Sequence, residues 1–376
     1  MAASSTLTGA SELTSRMERA RNGLLRTQAD ALLVTPGADL RYLTGYDAVP
    51  LERLTCLILT AGGQRYLVVP ALEEAAAQAS PVTGLGVQIV SWQETQDPVA
   101  MVAGILGDVS TVALDNRMWA EKVLAFRTAM PQAQQVAAGP VLQDLRMRKS
   151  AVEIRELRIA AGAIDRVHAQ MAQWLRVGRT EREVGRDIAE AIIAEGHARV
   201  DFVIVASGPN AASPHAEASD RVLQAADVVV VDIGGTTEAG YCSDETRTYC
   251  LGTPPTGFSE YYPVLLAAQL AACEQARPGV SAESVDAAAR EVIAAAGYGE
   301  AFLHRTGHGI GLETHEEPYI VAGNGTLLEP GMTFSIEPGI YLPGQHGARI
   351  EDIVAITADG SERLNQRPRD LAVLPT

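Results

Sequence analysis

The hydrophobic pattern changes character partway along the chain. Up to about residue 140, short apolar runs at 31–34, 54–59, 66–69, 87–90 and 111–114 are separated by alanine-rich stretches, which predicts strands interleaved with helices. Helices are expected over 11–28, 71–79 and 120–130. The second part opens on Ser150 with Glu153 three residues later, a capping box, after which Ile154, Leu157, Ala161, Ile164, Val167, Met171 and Trp174 recur at helical spacing. A second box, Thr180 with Glu183, starts a helix that carries Val184, Ile188 and Ile192 and stops at Gly196. Strands follow at 202–206 and 228–233; the latter, four valines running into Asp232, has no polar face and is expected to be central in its sheet. Two more helices begin near Ser259 and Ser281, split by the turn Arg277-Pro278-Gly279, and strands are expected at 332–336, 340–342 and 350–356.

A chain of 376 residues is long enough for two domains. The pattern predicts a small amino-terminal α/β domain over 1–140 and a second domain of mixed helices and strands over 145–376. A formal net charge of -16 with no run of Lys or Arg argues against nucleic acid and anionic membranes as partners. Cys56, Cys242, Cys250 and Cys273 have neither zinc spacing nor the density of a disulfide framework. The first nine residues lack the basic and apolar blocks of a secretory signal, and no apolar run reaches membrane-spanning length, so the cytoplasm is the expected compartment.

The candidate chemistry lies in the second part. Residues 307–318, Gly-His-Gly-Ile-Gly-Leu-Glu-Thr-His-Glu-Glu-Pro, place two histidines and three carboxylates in a glycine-rich stretch where a ligand could approach the backbone. Asp232 ends its valine run, and Asp244 follows across a turn that reads as a hairpin, so paired strands can bring the two aspartates to one point. Glu337 and Glu351 each stand inside an otherwise apolar strand, the latter near Arg349. Four carboxylates meeting in a core repel one another and take up protons unless positive charge compensates. A pair of divalent metal ions supplies that charge. An oxygen-rich set with one imidazole suits manganese, with cobalt, iron or zinc as alternatives, and the natural reaction of such a site is amide hydrolysis by an activated water.

The set Asp232, Asp244, His308, Glu337 and Glu351, in its order and local words, resembles that of the pita-bread-fold metallopeptidases, in particular the Xaa-Pro dipeptidase (prolidase) and aminopeptidase P branch. The resemblance spans the chain from about Leu145 and, more loosely, the domain before it. It implies a pita-bread catalytic domain behind a creatinase-like amino-terminal domain. It also implies that Asp232 and Asp244 bind one ion and His308 and Glu337 the other, with Asp244 and Glu351 bridging and Glu337 as general base. His215 resembles a substrate-side histidine, His315 one that stabilises the tetrahedral intermediate, Arg349 and Tyr341 hydrogen-bonding residues around the metals, and Thr246 a residue supporting them. His304 and His346 are expected to be structural.

The interval from Asp232 to Asp244 is one residue longer than the commonest spacing in these enzymes, and the extra residue is expected in the turn over 236–240. The implied activity is cleavage of the bond preceding proline in small peptides, most simply by a dipeptidase acting as a homodimer. Aminopeptidase P, methionine aminopeptidase and a metal-free creatinase-like or binding homologue remain open alternatives. A dipeptidase needs a cation for the substrate carboxylate, for which Arg53 is the candidate put forward, with Arg41 and Arg369 behind it.

Overall fold

The computed structural model describes residues 9–376. The amino-terminal stretch read above as lacking a secretory signal lies, but for Gly9, outside the described residues. The chain divides into two units, one ending at Arg146 and the other running from Met147 to Thr376.

In the first unit, helices α1 (Ala10–Thr27), α2 (Ala38–Thr44), α3 (Glu74–Ala79), α4 (Pro98–Leu106), α5 (Ala120–Ala129) and α6 (Gly139–Met147) accompany one six-stranded sheet. Its strands β1 (Ala31–Val34), β2 (Cys56–Thr60), β3 (Arg65–Pro70), β4 (Gln88–Trp92), β5 (Thr111–Leu114) and β6 (Gln134–Ala137) lie in the order β4-β3-β2-β1-β5-β6. The run expected to be helical over 71–79 starts as a 3-10 turn, Ala71–Glu73, because Pro70 leaves the chain extended before it.

The second unit opens with α7 (Ala151–His168), α8 (Met171–Trp174) and α9 (Glu181–Ala194), and both capping boxes form as the sequence predicts. The helix expected to continue to Trp174 breaks at Ala169 and Gln170, where Gln170 N–H bonds Val167 O and tightens the turn. The apolar spacing carries on across the break because Met171 enters the same core as Ile164 and Val167. Strands β7 (His197–Ser207), β8 (Val228–Thr237) and β9 (Glu245–Leu251) follow, then α10 (Phe258–Gln275) and α11 (Ala282–Ala295). The last segment holds β10 (Gly307–Gly309), β11 (Glu316–Ile320), β12 (Thr333–Ile336), β13 (Gly339–Leu342), β14 (His346–Arg349), β15 (Asp352–Ile356), β16 (Ser361–Arg363) and β17 (Ala372–Leu374).

These strands form a four-stranded sheet, β17-β9-β8-β7, a five-stranded sheet, β11-β10-β12-β15-β16, and the hairpin β13-β14. Two apolar cores hold them. Val184, Ile188 and Ile192 of α9 pack with Ile164 and Val167 against Val229, Val231 and Ile233 of β8. Phe258, Leu265, Val285 and Ile293 of α10 and α11 pack against Phe334, Ile336, Ile350 and Val354. Each such side chain contributes about 1.5–3 kcal/mol on burial. Because Val229, Val231 and Ile233 take one face of β8, the alternation of side chains sends Val230 and Asp232 to the other.

One expected strand is interrupted. The run 350–356 starts just past the end of β14, and divides into a crossing at Ile350 and Glu351 followed by β15. Glu337 and Pro338 likewise fall between β12 and β13. Ile336 pairs with Asp352 and Gly339 with Arg349, so the two crossings lie opposite each other where the chain passes between the five-stranded sheet and the hairpin. Pro338 has no N–H for a ladder, which suits it to the interruption. Both glutamates thus stand at strand junctions and not within strands.

Candidate metal centre

Hairpin pairing sets the two aspartates. Asp232 on β8 is opposite Thr246 on β9, and the pairing holds its register from Val228 with Cys250 through to Thr236 with Cys242. The longer interval before Asp244 is therefore taken up beyond that bridge, in the turn closed by Thr237 N–H on Tyr241 O, and no bulge displaces the aspartates. Asp244 lies two residues before Thr246 and so shares its face. Glu351 N–H bonds Thr246 O, which draws the crossing at Ile350 and Glu351 against β9. The Thr246 hydroxyl donates to Glu351 Oε2 at 2.7 Å.

His308 arrives on β10. Its backbone N–H bonds the Ser335 hydroxyl of β12 at 3.0 Å, and that hydroxyl donates to Glu337 Oε1 at 3.1 Å. The glycines around His308 are demanded by neighbouring backbone more than by any ligand: a Cβ on Gly307 would stand 1.8 Å from Ser335 O, and one on Gly309 2.3 Å from Glu317 O. His308 Nδ1 lies 3.1 Å from Gly309 O, a pure acceptor, so Nδ1 carries a proton and Nε2 is the nitrogen left to face inward. Nε2 is 3.3 Å from Glu337 Oε1 and 3.6 Å from Asp244 Oδ2.

Donor atoms of Asp244, His308 and Glu351 lie within 4.8 Å of one another, and Asp232 Oδ1 is buried with no hydrogen-bond partner among the described residues. An unpaired buried carboxylate oxygen is costly, and four carboxylates here face one guanidinium, that of Arg349. Burial and then the neighbouring Glu351, Asp232 and Glu337 charges hold Asp244 well above the usual carboxylate range. Glu351 is raised by burial and then by Glu337 and Asp232. Glu337 goes the other way: burial opposes its charge, but His308, His304 and Arg349 outweigh that and bring it down to about 2. An inward-facing imidazole nitrogen among carboxylate oxygens, one of them orphaned, and surplus negative charge fit divalent cations.

These residues line the floor of a cavity of about 630 Å³. His215 and His315 are exposed at its rim, and the His315 ring lies 4.0 Å from that of His308. Desolvation of its inner side, with His308 and Arg305 close by, pushes His315 down to about 4, so it is neutral at ordinary pH.

Residues 155–358 match the model of metallopeptidase family M24, and residues 16–148 match that of the creatinase/prolidase amino-terminal domain. The chain belongs to metallopeptidase family M24. It is 53% identical over 346 residues to a probable dipeptidase PepE of Mycobacterium tuberculosis, with 92% of each chain covered. To an Xaa-Pro dipeptidase of Lactobacillus helveticus it is 35% identical over 370 residues, covering 96% of this chain and 99% of the other. The crystal structure of dipeptidase PepE from Mycobacterium ulcerans matches with a TM-score of 0.94 at 50% identity, covering 98% of this chain and 99% of that one. The fold is therefore the M24 pita-bread domain behind a creatinase-type domain, as the resemblance implied, and membership of this metallopeptidase family implies divalent metal ions.

Around the M24 centre, Arg349 is fully engaged. Its guanidinium donates to Asp232 Oδ2 at 2.5 Å, Thr246 Oγ1 at 3.1 Å, the Tyr341 hydroxyl at 2.7 Å and Pro214 O at 3.2 Å. It thereby ties the His215 loop to the floor. Tyr341 in turn meets His304 Nε2 at 2.9 Å; because His304 Nδ1 donates to Arg305 O, Nε2 is the acceptor and the Tyr341 hydroxyl the donor.

His304, expected to be purely structural, thus lines the cavity and holds Tyr341. Arg53 lies in the amino-terminal unit, where Glu52 and Glu94 occupy its guanidinium at 2.6 and 2.7 Å, and nothing in its surroundings marks it for a substrate carboxylate. Glu316 is committed to the buried Lys149 at 2.6 Å. His346 belongs to the core beside Tyr261, and His168 and His197 are buried on Tyr249 and Ser243. Ser335 was missed, yet the alternation Thr333-Phe334-Ser335-Ile336 marks it as the polar phase of its strand.

Proposed function

We propose that this protein is an Xaa-Pro dipeptidase, with two divalent cations held by Asp232, Asp244, His308, Glu337 and Glu351. The observation that carries the reading is the surplus of buried carboxylate on the cavity floor around one inward-facing imidazole nitrogen. Asp232 and Asp244 would hold one cation, His308 and Glu337 the other, with Asp244 and Glu351 shared. When bound, the cations polarise the scissile carbonyl and acidify a water.

The remaining work falls to side chains of this chain. Glu337 is suited to move the proton: it is ionised, Ser335 orients its Oε1, and its side chain is 15% exposed where that of Asp244 is 5% exposed. It takes the proton of the attacking water and returns it to the proline nitrogen, which has no N–H of its own and leaves as a neutral secondary amine. His315, neutral and at the rim, donates a hydrogen bond to the carbonyl oxygen as negative charge gathers there, with His215 on the loop that Arg349 anchors. Arg349 and Tyr341 act by positioning, since their polar atoms are occupied by the protein. Thr246 aims Glu351.

We assign manganese on the hardness of the donor set. Four free cysteines suit the cytoplasm, and the family resemblance supports a homodimer. The test compares hydrolysis of Ala-Pro and Ala-Pro-Ala by the manganese-loaded protein. Faster cleavage of the dipeptide is expected; a preference for the tripeptide would make the protein an aminopeptidase, and cleavage of neither would refute the reading.

A further inference from the structure

The cavity is lined by two arginines, and they differ in what they touch. Arg349 is saturated by Asp232, Thr246, Tyr341 and Pro214 O. Arg305 forms no ion pair and its guanidinium no hydrogen bond with any other described residue; it lies over the ring of Tyr319, with the guanidinium carbon 4.4 Å from the centroid. We propose that Arg305 receives the carboxylate of the substrate's carboxyl-terminal residue. This rests on the dipeptidase reading above.

Stacking on an aromatic face fixes the guanidinium plane while leaving its in-plane N–H groups available, the geometry that takes a carboxylate on two parallel hydrogen bonds. The backbone beneath it is held as well: His304 Nδ1 donates to Arg305 O at 2.7 Å, and Thr306 N–H bonds Ile320 O of β11 at 3.0 Å. Arg305 is half-buried, three residues before His308, and lines the same cavity as His315.

The remaining charged wall residue away from the floor, Asp201, is occupied by Arg199 and Thr236. The other arginines considered are committed elsewhere: Arg41 to Asp47, Arg53 to Glu52 and Glu94, and Arg369 to Gln269. A cavity whose floor is built of carboxylates repels the carboxylate end of a zwitterionic dipeptide, and Arg305 is the cation that offsets this at the rim. A longer peptide presents a neutral amide at the same point and gains less, so Arg305 would also select for dipeptides.

The experiment measures kcat and KM of the manganese-loaded wild type, Arg305→Ala and Arg305→Lys on Ala-Pro and on Ala-prolinamide, which lacks the carboxylate. Losing a charge-assisted, bidentate contact should raise KM for Ala-Pro about 10- to 100-fold in Arg305→Ala while leaving the amide within about twofold, with Arg305→Lys in between. Where amide turnover is too slow to follow, inhibition of Ala-Pro hydrolysis by proline and by prolinamide gives the same ratio. An equal loss on both substrates, or no change on Ala-Pro, overturns the assignment of Arg305. A wild type inactive on Ala-Pro overturns the dipeptidase reading beneath it, a result distinct from active enzyme with an unchanged ratio.

Discussion

Glu351 and Asp352 are adjacent in the chain and both are buried, yet their surroundings are opposite. Asp352 is encircled by donors: Arg247 at 2.7 Å, Arg363 at 3.2 Å and Gln269 at 3.0 Å. Glu351 has one donor, the Thr246 hydroxyl, and stands among Asp232, Asp244 and Glu337. The same contrast divides Asp244 from Glu245. Burial holds both well above the usual carboxylate range, but Glu245 lies 3.0 Å from Arg247, whose charge opposes that push, whereas Asp244 lies among like charges. One buried acidic cluster is faced by the protein's own arginines, and the other is left short of positive charge. A buried charge needs a partner, and where the chain supplies none the partner comes from outside.

The largest effect expected from this contrast is on turnover. Asp244→Asn removes a donor from the uncompensated cluster and should bring hydrolysis of Ala-Pro to background. Because Asp244 is pushed toward its neutral form without metal, the same change should leave the thermal stability of the metal-free protein unchanged or raised, read by calorimetry after chelation. A large fall in metal-free stability would mean that the two clusters are alike.

Next comes Arg247→Met, which strips the compensated cluster. Glu245 and Asp352 lose their shared cation, and a loss of about 3–5 kcal/mol is expected in denaturant unfolding, since breaking a buried pair strands the remaining charge. The metal content of the protein that still folds should be unchanged.

The smallest effect is one of protons. Asp244 and Glu351 are raised in the folded, metal-free protein, so it holds protons that the unfolded chain has released above its ordinary carboxylate range. Metal-free stability should therefore fall as pH rises through those raised values, while manganese binding, which needs the ionised carboxylates, tightens over the same range. Calorimetry in two buffers of different ionisation enthalpy should show proton release on binding; uptake, or none, would contradict the assigned charge states.

Much of this was legible in the sequence. The valine run made β8 a central strand and Asp232 its anomaly, and the capping boxes marked α7 and α9. Alternation states that Asp244 and Glu245 point to opposite faces, but not which face holds the site; only the family resemblance chose Asp244 over Glu245 and Glu351 over Asp352. Glu337 and Glu351 were read inside strands because apolar neighbours hide a crossing between sheets, for which Pro338 was the local sign. The glycines at 307 and 309 suggested room for a ligand, whereas their spacing serves neighbouring backbone that is remote in sequence. Arg305 carried no signal at all, since what sets it apart is its place on the cavity wall without an ion pair to any described residue, and neither feature can be read from the sequence.

On the function proposed for it, the uncompensated cluster is a two-cation centre for cleavage before proline. Its most direct test is to strip the protein with a chelator and add manganese stepwise while following Ala-Pro hydrolysis. Activity should be absent after stripping and rise to a plateau at two ions per chain. Ala-Pro turnover that survives complete removal of metal, or a loaded protein that leaves Ala-Pro intact, would contradict it.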